Sequence, residues 1–175
     1  MPELLVGGLD VRSDALALLA TESLADGCLL EDFNADIAAE CAEVCEAPVT
    51  RDVLLRIAAE ERSHAEFSWA VLSWTLAHSR NRVVPALERA LAELPRYRRP
   101  TAVSARLRSL VSRADPSAMR RHGRLPDERW SEVWRERLAA TTKRARELGR
   151  TGATGAVDDG ALGAAERTRS AGCSR

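Results

Sequence analysis

The chain has 175 residues, of which 45% are hydrophobic and only 4% aromatic, and its formal net charge is zero. This length is enough for one domain with its own core. Ala and Leu dominate and runs of β-branched residues are missing, which favours closely packed helices over a sheet. No stretch approaches the roughly eighteen uncharged apolar residues of a membrane span, and residues 1–10 lack a basic n-region. We therefore expect neither a membrane segment nor a signal peptide.

Charge is distributed very unevenly along this neutral chain. Residues 1–79 contain 4 Arg and Lys against 15 Asp and Glu, whereas residues 80–148 contain 18 against 8. The simplest interpretation is that the basic half neutralises the acidic half within the fold. The alternative is a helical interaction module in which residues 80–148 bind an acidic partner or nucleic acid.

The first predicted helix runs from about Asp14 to Glu46 and keeps a helical period of apolar residues. Three of the four cysteines lie on its inward stripe. Their spacing fits neither a zinc pattern nor a secreted disulfide framework, so we interpret them as small hydrophobic residues in a reducing cytoplasm. The stripe consists of Leu16, Leu19, Leu24, Cys28, Glu31, Ala35, Ala38, Cys41 and Cys45.

A second helix is predicted from about Arg51 to His78, after a break at residues 47–49 and a cap at Thr50. Two ionisable residues, Glu61 and His64, interrupt its apolar inward stripe, while Arg62 falls on the outward side. A carboxylate and an imidazole on a buried face need partners, because burying them bare is costly. The inward stripe consists of Leu54, Ile57, Glu61, His64, Ala65, Ser68 and Leu72.

The two helices are expected to form an antiparallel hairpin, in which residues at equal distances from the turn lie at the same level. Glu31 then lies opposite roughly residue 64, beside the Glu61-x-x-His64 step. Carboxylate and imidazole ligands together suit iron, manganese or zinc better than calcium or magnesium. We predict a metal site of Glu31, Glu61 and His64, with Glu60 in a supporting position. The competing interpretation is a polar cluster or ion pair without metal.

The remaining segments follow a simpler pattern. A short helix spans residues 83–95, a basic connector and a modest helix span residues 96–113, and a last helix runs from Pro126 to Leu148 with Trp130 and Trp134 on its inner face. His78 and His122 are predicted to be surface residues, and Trp69 and Trp74 to serve packing. The predicted organisation is an N-terminal extension (1–12), a helical hairpin (13–95), a basic helical region packed on it (96–148) and a disordered tail (149–175).

A family resemblance is carried by the same residues. Residues 25–31 (ADGCLLE), followed by residues 56–66 (RIAAEERSHAE), resemble the second half of bacterial ferritin-like domain proteins. The similarity continues through residues 68–71 and reappears at residues 121–126, so that it covers roughly residues 12–148. The resemblance implies an all-α fold, half of a ferritin-like four-helix bundle, with iron or manganese bound by carboxylates and histidine.

By this resemblance Glu31 is the glutamate of one helix, and Glu61 and His64 are the paired ligands of the next. Family bundles contain two such helix pairs, with four Glu and two His, whereas this chain supplies two Glu and one His. The site in one chain is thus incomplete. Either a homodimer or a complementary helical hairpin completes it, or the chain is a shortened relative with an incomplete site. Any activity would be that of a di-iron or di-manganese oxidase or ferroxidase.

Overall fold

The computed structural model describes residues 11–97, 99–100, 111 and 113–151, and the described part is all helical, without a strand. The first element is one continuous helical rod in three parts. An α-helix, α1 (Val11–Glu22), leads into a π-helical segment (Ser23–Glu31), which leads into α2 (Asp32–Val44). The rod is the centre of the fold, because its buried side chains face neighbours in several directions.

Helix α3 (Pro48–His78) returns along the rod after a break of three residues. A Cβ atom on Gly27 would touch Ser68, whereas Glu31 lies beside Glu61. Higher numbers on the rod therefore meet lower numbers on α3, which makes the two helices antiparallel. The predicted level match between Glu31 and the Glu61-x-x-His64 step is present in the structure.

Three further helices cover the rod. Helix α4 (Arg80–Glu93) packs on α1 and ends in a short 3₁₀ turn (Leu94–Arg96). Helix α5 (Pro116–Arg121) is capped by Asp115, and α6 (Asp127–Thr151) packs on α2 and on the π-helical segment. The core joins the rod, α3, α4 and the 3₁₀ turn through fully buried side chains, among them Leu24, Leu29, Phe33, Leu72, Val83, Leu87 and Leu94, whereas α5 buries none.

Several expectations about helix ends and faces were wrong. Helix α3 begins at Pro48, and Ala47 precedes it without a side-chain cap, so Thr50 lies inside the helix. Proline suits the first helical position because the missing N–H has no partner there in any case. Leu19 is exposed although the single stripe placed it inward. The π-helical segment changes the phase between α1 and α2, so no one stripe of 3.6-residue period fits the whole rod.

The predicted aromatic packing is confirmed for the last helix. Trp134 is buried and Trp130 half-buried, and both make edge-to-face contacts with Phe33, at ring-centroid distances of 5.1 and 5.8 Å. Helix α6 continues to Thr151, a little beyond the predicted end. Most of the predicted helix over residues 102–113 lies outside the described residues. Residues 1–10 and the predicted tail beyond residue 151 lie entirely outside them. None of the described helices is long and apolar enough to cross a membrane.

Candidate metal centre

Glu31 is positioned by the π-helical segment, of which it is the last residue. Such segments are rare and occur frequently at functional sites, because the extra residue per turn redirects side chains. Gly27, in the middle of the segment, faces α3 so closely that a Cβ atom there would lie 2.0 Å from Ser68 Oγ. The glycine expected to weaken the helix therefore has a packing role: it lets the rod approach α3 one turn from Glu31.

The structure brings Glu31, Glu61 and His64 together in one group, called here the triad. One ligand-type atom from each residue lies within 4.8 Å of the other two. His64 Nδ1 is 3.8 Å from Glu61 Oε2, one helical turn away on α3. Glu31 comes from the rod, so the group joins two helices. Glu60 is exposed and lies outside the triad.

Glu31 holds its proton more tightly than an isolated glutamate does. The pKa of Glu31 is raised from 4.5 to about 7, first by a hydrogen bond with Glu61, then by burial and by repulsion from the Glu61 charge. His64 acts in the opposite direction. Among the described side chains, no arginine or lysine forms an ion pair with either glutamate of the triad. A cation that displaced the proton of Glu31 would meet two oxygens and a nitrogen at one place.

The next residue along each helix belongs to a very different group. Asp32 is buried and forms ion pairs with Arg62 and Arg137, and it accepts a hydrogen bond of 3.1 Å from Trp69 Nε1. Asp36 accepts from Arg62 at 2.5 Å and from Arg137 Nε at 2.7 Å. These five side chains, called here the arginine cluster, balance their charges and satisfy their hydrogen bonds internally.

The basic half of the sequence contacts the acidic half directly. Arg137 of α6 reaches Asp32 and Asp36, and Arg129 binds Glu40 through two hydrogen bonds of 2.7 and 2.5 Å. The predicted neutralisation within the fold is confirmed at these pairs. These ion pairs also hold α6 against the rod.

The cysteines on the rod are packing residues, as predicted. Cys28, Cys41 and Cys45 are buried and unpaired, and Cys173 lies outside the described residues. Burial, together with the nearby Asp32 charge, raises the pKa of the Cys28 thiol to about 12. A thiol held protonated in this way is neither a nucleophile nor a ready metal ligand.

Two assignments on α3 are corrected by the structure. His64 was placed on the buried side, but its side chain is 66% exposed, while that of Glu61 is 25% exposed. Arg62 was placed on the outward side, but it turns towards the rod and binds Asp32 and Asp36. The buried stripe of α3 runs through Ala65, Trp69 and Leu72, so His64 lies at the edge of the interface and Arg62 at its other edge.

The arginine cluster was missed by sequence reasoning, although a signal for it exists. Asp32 and Asp36 are one turn apart on the rod, and Arg62 lies at their level in the antiparallel register. Trp69 was expected to serve packing; it is buried, and Arg144 stacks over its ring at 4.1 Å. Trp74, His78 and His122 are exposed, as predicted for the two histidines.

No family model, curated protein or solved structure matches this chain.

Proposed function

We propose that the protein binds a transition-metal dication through Glu31, Glu61 and His64. The observation that carries the proposal is the convergence of two carboxylates and an imidazole within 4.8 Å without a protein cation among them. Two adjacent carboxyl groups form a site at which a metal ion can take the place of the proton on Glu31. The exposed imidazole gives a ligand from solvent an open approach.

The donor set favours iron, manganese or zinc. Two oxygens and one nitrogen are intermediate in softness, and the triad contains no thiol. Three protein ligands leave coordination positions open, which is typical of reactive sites more than of structural ones. The resemblance to ferritin-like proteins favours iron or manganese within this group.

The ligand count points to assembly of two chains. One chain offers two glutamates and one histidine, and two chains offer four glutamates and two histidines, the set that a di-metal carboxylate centre uses in helical bundles. When bound in such a pair, iron or manganese supplies redox chemistry with oxygen or peroxide. The residues of this chain would hold the metals, and Glu31 would release its proton when the metal binds.

The test is metal binding by the purified protein, measured by calorimetry with Mn²⁺ in the absence of oxygen and by metal analysis after purification. We expect one Mn²⁺ per chain for the unmodified protein and none for the double variant Glu61→Ala/His64→Ala. Equal, near-zero binding by both proteins would contradict the proposal.

A matched control separates ligand loss from general charge loss. The double variant Glu66→Ala/His122→Ala removes the same two residue types from exposed positions outside the triad. We expect it to bind Mn²⁺ as the unmodified protein does. If it loses binding to the same extent as the triad variant, the metal is held by diffuse surface charge and the triad is not the site.

A further inference from the structure

Helix α3 carries an apolar stripe on the side that does not face the rod. Its large hydrophobic members are Val49, Val53, Ile57, Phe67 and Trp74, all of them exposed, and Phe67 is the most accessible of the last four, at 71%. They recur at intervals that place them on one helical face. Aligned apolar side chains of this size on a helix 31 residues long mark an interaction surface.

The same face carries His64 at its midpoint. The residues that share the face recur every three or four positions, and His64 is the fifth of nine. The four members before His64 and the four after it lie at distances from it that match to within one residue. Val53 and Trp74 lie 11 and 10 positions from His64, and Ile57 and Val71 each lie seven positions from it. The nine members are Val49, Val53, Ile57, Glu60, His64, Phe67, Val71, Trp74 and His78.

We propose that this stripe is the interface of a homodimer, in which α3 of one chain packs antiparallel on α3 of its partner about a two-fold axis at His64. An isologous contact requires a surface that meets its own copy in reverse, and the spacing of the stripe on either side of His64 matches to within one residue. Val53 then meets the partner subunit's Trp74, and Ile57 meets the partner subunit's Val71. The two triads come together at the axis.

This interface rests on the proposed function, because that function places a metal site at the two-fold axis. It gathers Glu31, Glu61 and Glu60 from both chains around two imidazoles. The nearest arginine on α3, Arg62, is held by Asp32 and Asp36 on the other side of the helix. The apolar ends of the two stripes attract each other, whereas the carboxylates of the two chains repel each other at the centre. A metal cation at the centre removes this repulsion and therefore strengthens the dimer.

The antiparallel register is tested with a pair of cysteines. Residues 53 and 74 are 21 positions apart on one helix, about 31 Å at 1.5 Å per residue, so a disulfide between them must join two chains. In a Cys173→Ser background, we expect Val53→Cys/Trp74→Cys to form a covalent dimer under mild oxidation, and each single variant to stay monomeric on a denaturing gel. Equal crosslinking by the single variants, or none by the double variant, would overturn the register.

The surface itself is tested by mass in solution with Mn²⁺ and with a chelator. We expect a dimer with Mn²⁺ and a smaller dimer fraction with the chelator. Trp74→Glu should give a monomer, whereas Leu55→Glu should not, because both side chains are 49% exposed but Leu55 lies on the opposite flank of α3. A Trp74→Glu protein that remains a dimer would overturn the interface.

The two proposals fail in distinguishable ways. A chain that binds Mn²⁺ through the triad and remains monomeric overturns the interface and leaves the metal site intact. A dimer that crosslinks between positions 53 and 74 but binds no Mn²⁺ supports the interface and contradicts the metal site. A monomer that binds phospholipid vesicles or another protein through the stripe also overturns the homodimer.

Discussion

The triad and the arginine cluster lie side by side on the rod and α3, but their carboxylates have opposite electrostatic environments. Asp32 and Asp36 are balanced by Arg62 and Arg137, with Trp69 completing the hydrogen bonds. Glu31 and Glu61, one residue away, form no ion pair with an arginine or lysine of the described residues, and their neighbour in the triad is an exposed histidine. A buried acid with two arginines serves the structure, whereas paired acids without a cation are available to a ligand.

The largest effect is expected from breaking the arginine cluster. Asp32→Ala leaves Arg62 and Arg137 with fewer counter-charges and Trp69 Nε1 without its acceptor, and should lower the free energy of unfolding by about 3 kcal/mol. Urea denaturation followed by circular dichroism measures the change. Glu31→Ala is the comparison within the triad, and a loss as large as that of Asp32→Ala would show that the two groups do not differ in the way described.

The next largest effect is expected at the close contact that positions Glu31. Gly27→Ala places a Cβ atom 2.0 Å from Ser68 Oγ and 2.2 Å from Ser68 Cβ, so the helices must separate, at a cost of about 2 kcal/mol. Because Glu31 then moves away from Glu61, Mn²⁺ affinity should fall as well. Adding Ser68→Gly removes both atoms in the way and should restore metal binding. A Gly27→Ala protein with unchanged stability and affinity would contradict the packing role of Gly27.

A smaller effect concerns pH and belongs to the triad. The pKa of Glu31 is about 7 in the folded chain against 4.5 ordinarily. The folded state therefore binds the proton more tightly, and the stability from this group is present below pH 4.5 and lost as pH rises to about 7. Glu31→Gln carries no titrating proton and should lack this fall. The difference between the two stability curves, measured by urea denaturation without metal, should grow through this window, and parallel curves would contradict the raised pKa of Glu31.

The smallest effect is expected from giving the triad a cation of its own. His64→Arg places a guanidinium one turn after Glu61, and should stabilise the chain by about 0.3 kcal/mol at low salt while abolishing Mn²⁺ binding. Thermal unfolding with and without Mn²⁺ measures both changes. If the variant still gains stability from Mn²⁺, the metal binds elsewhere.

The sequence predicts the fold class and the meeting of Glu31 with Glu61 and His64, because both depend on helical period and distance from the turn. The exact faces are harder to predict. Residues 62 and 64 lie near opposite edges of the buried face of α3. A small error in the predicted rotation of the helix about its axis exchanges buried and exposed positions there, and Arg62 and His64 were therefore assigned to the wrong sides. The π-helical segment leaves no pattern of its own in the sequence and shifts the phase of the rod.

The arginine cluster shows what a search for ligand types misses. Asp32, Asp36 and Arg62 stand at matching levels in the same hairpin arithmetic that relates Glu31 to His64. An acidic side chain on a helix face that is expected to be buried needs a cationic partner. In this hairpin the nearest such partner is the arginine at the same level on the opposite helix. Applying this rule to every acidic residue of the rod would have separated the paired acids from the unpaired ones before the structure was known.

The most direct test of the account is the position of the metal itself. Crystals of the protein grown with Mn²⁺ and measured at the manganese absorption edge give an anomalous map that locates the ion independently of any assumption about ligands. We expect a peak in contact with carboxylate oxygens of Glu31 and Glu61 and an imidazole nitrogen of His64. A fully loaded protein with no peak at the triad, and with its manganese bound elsewhere, would contradict it.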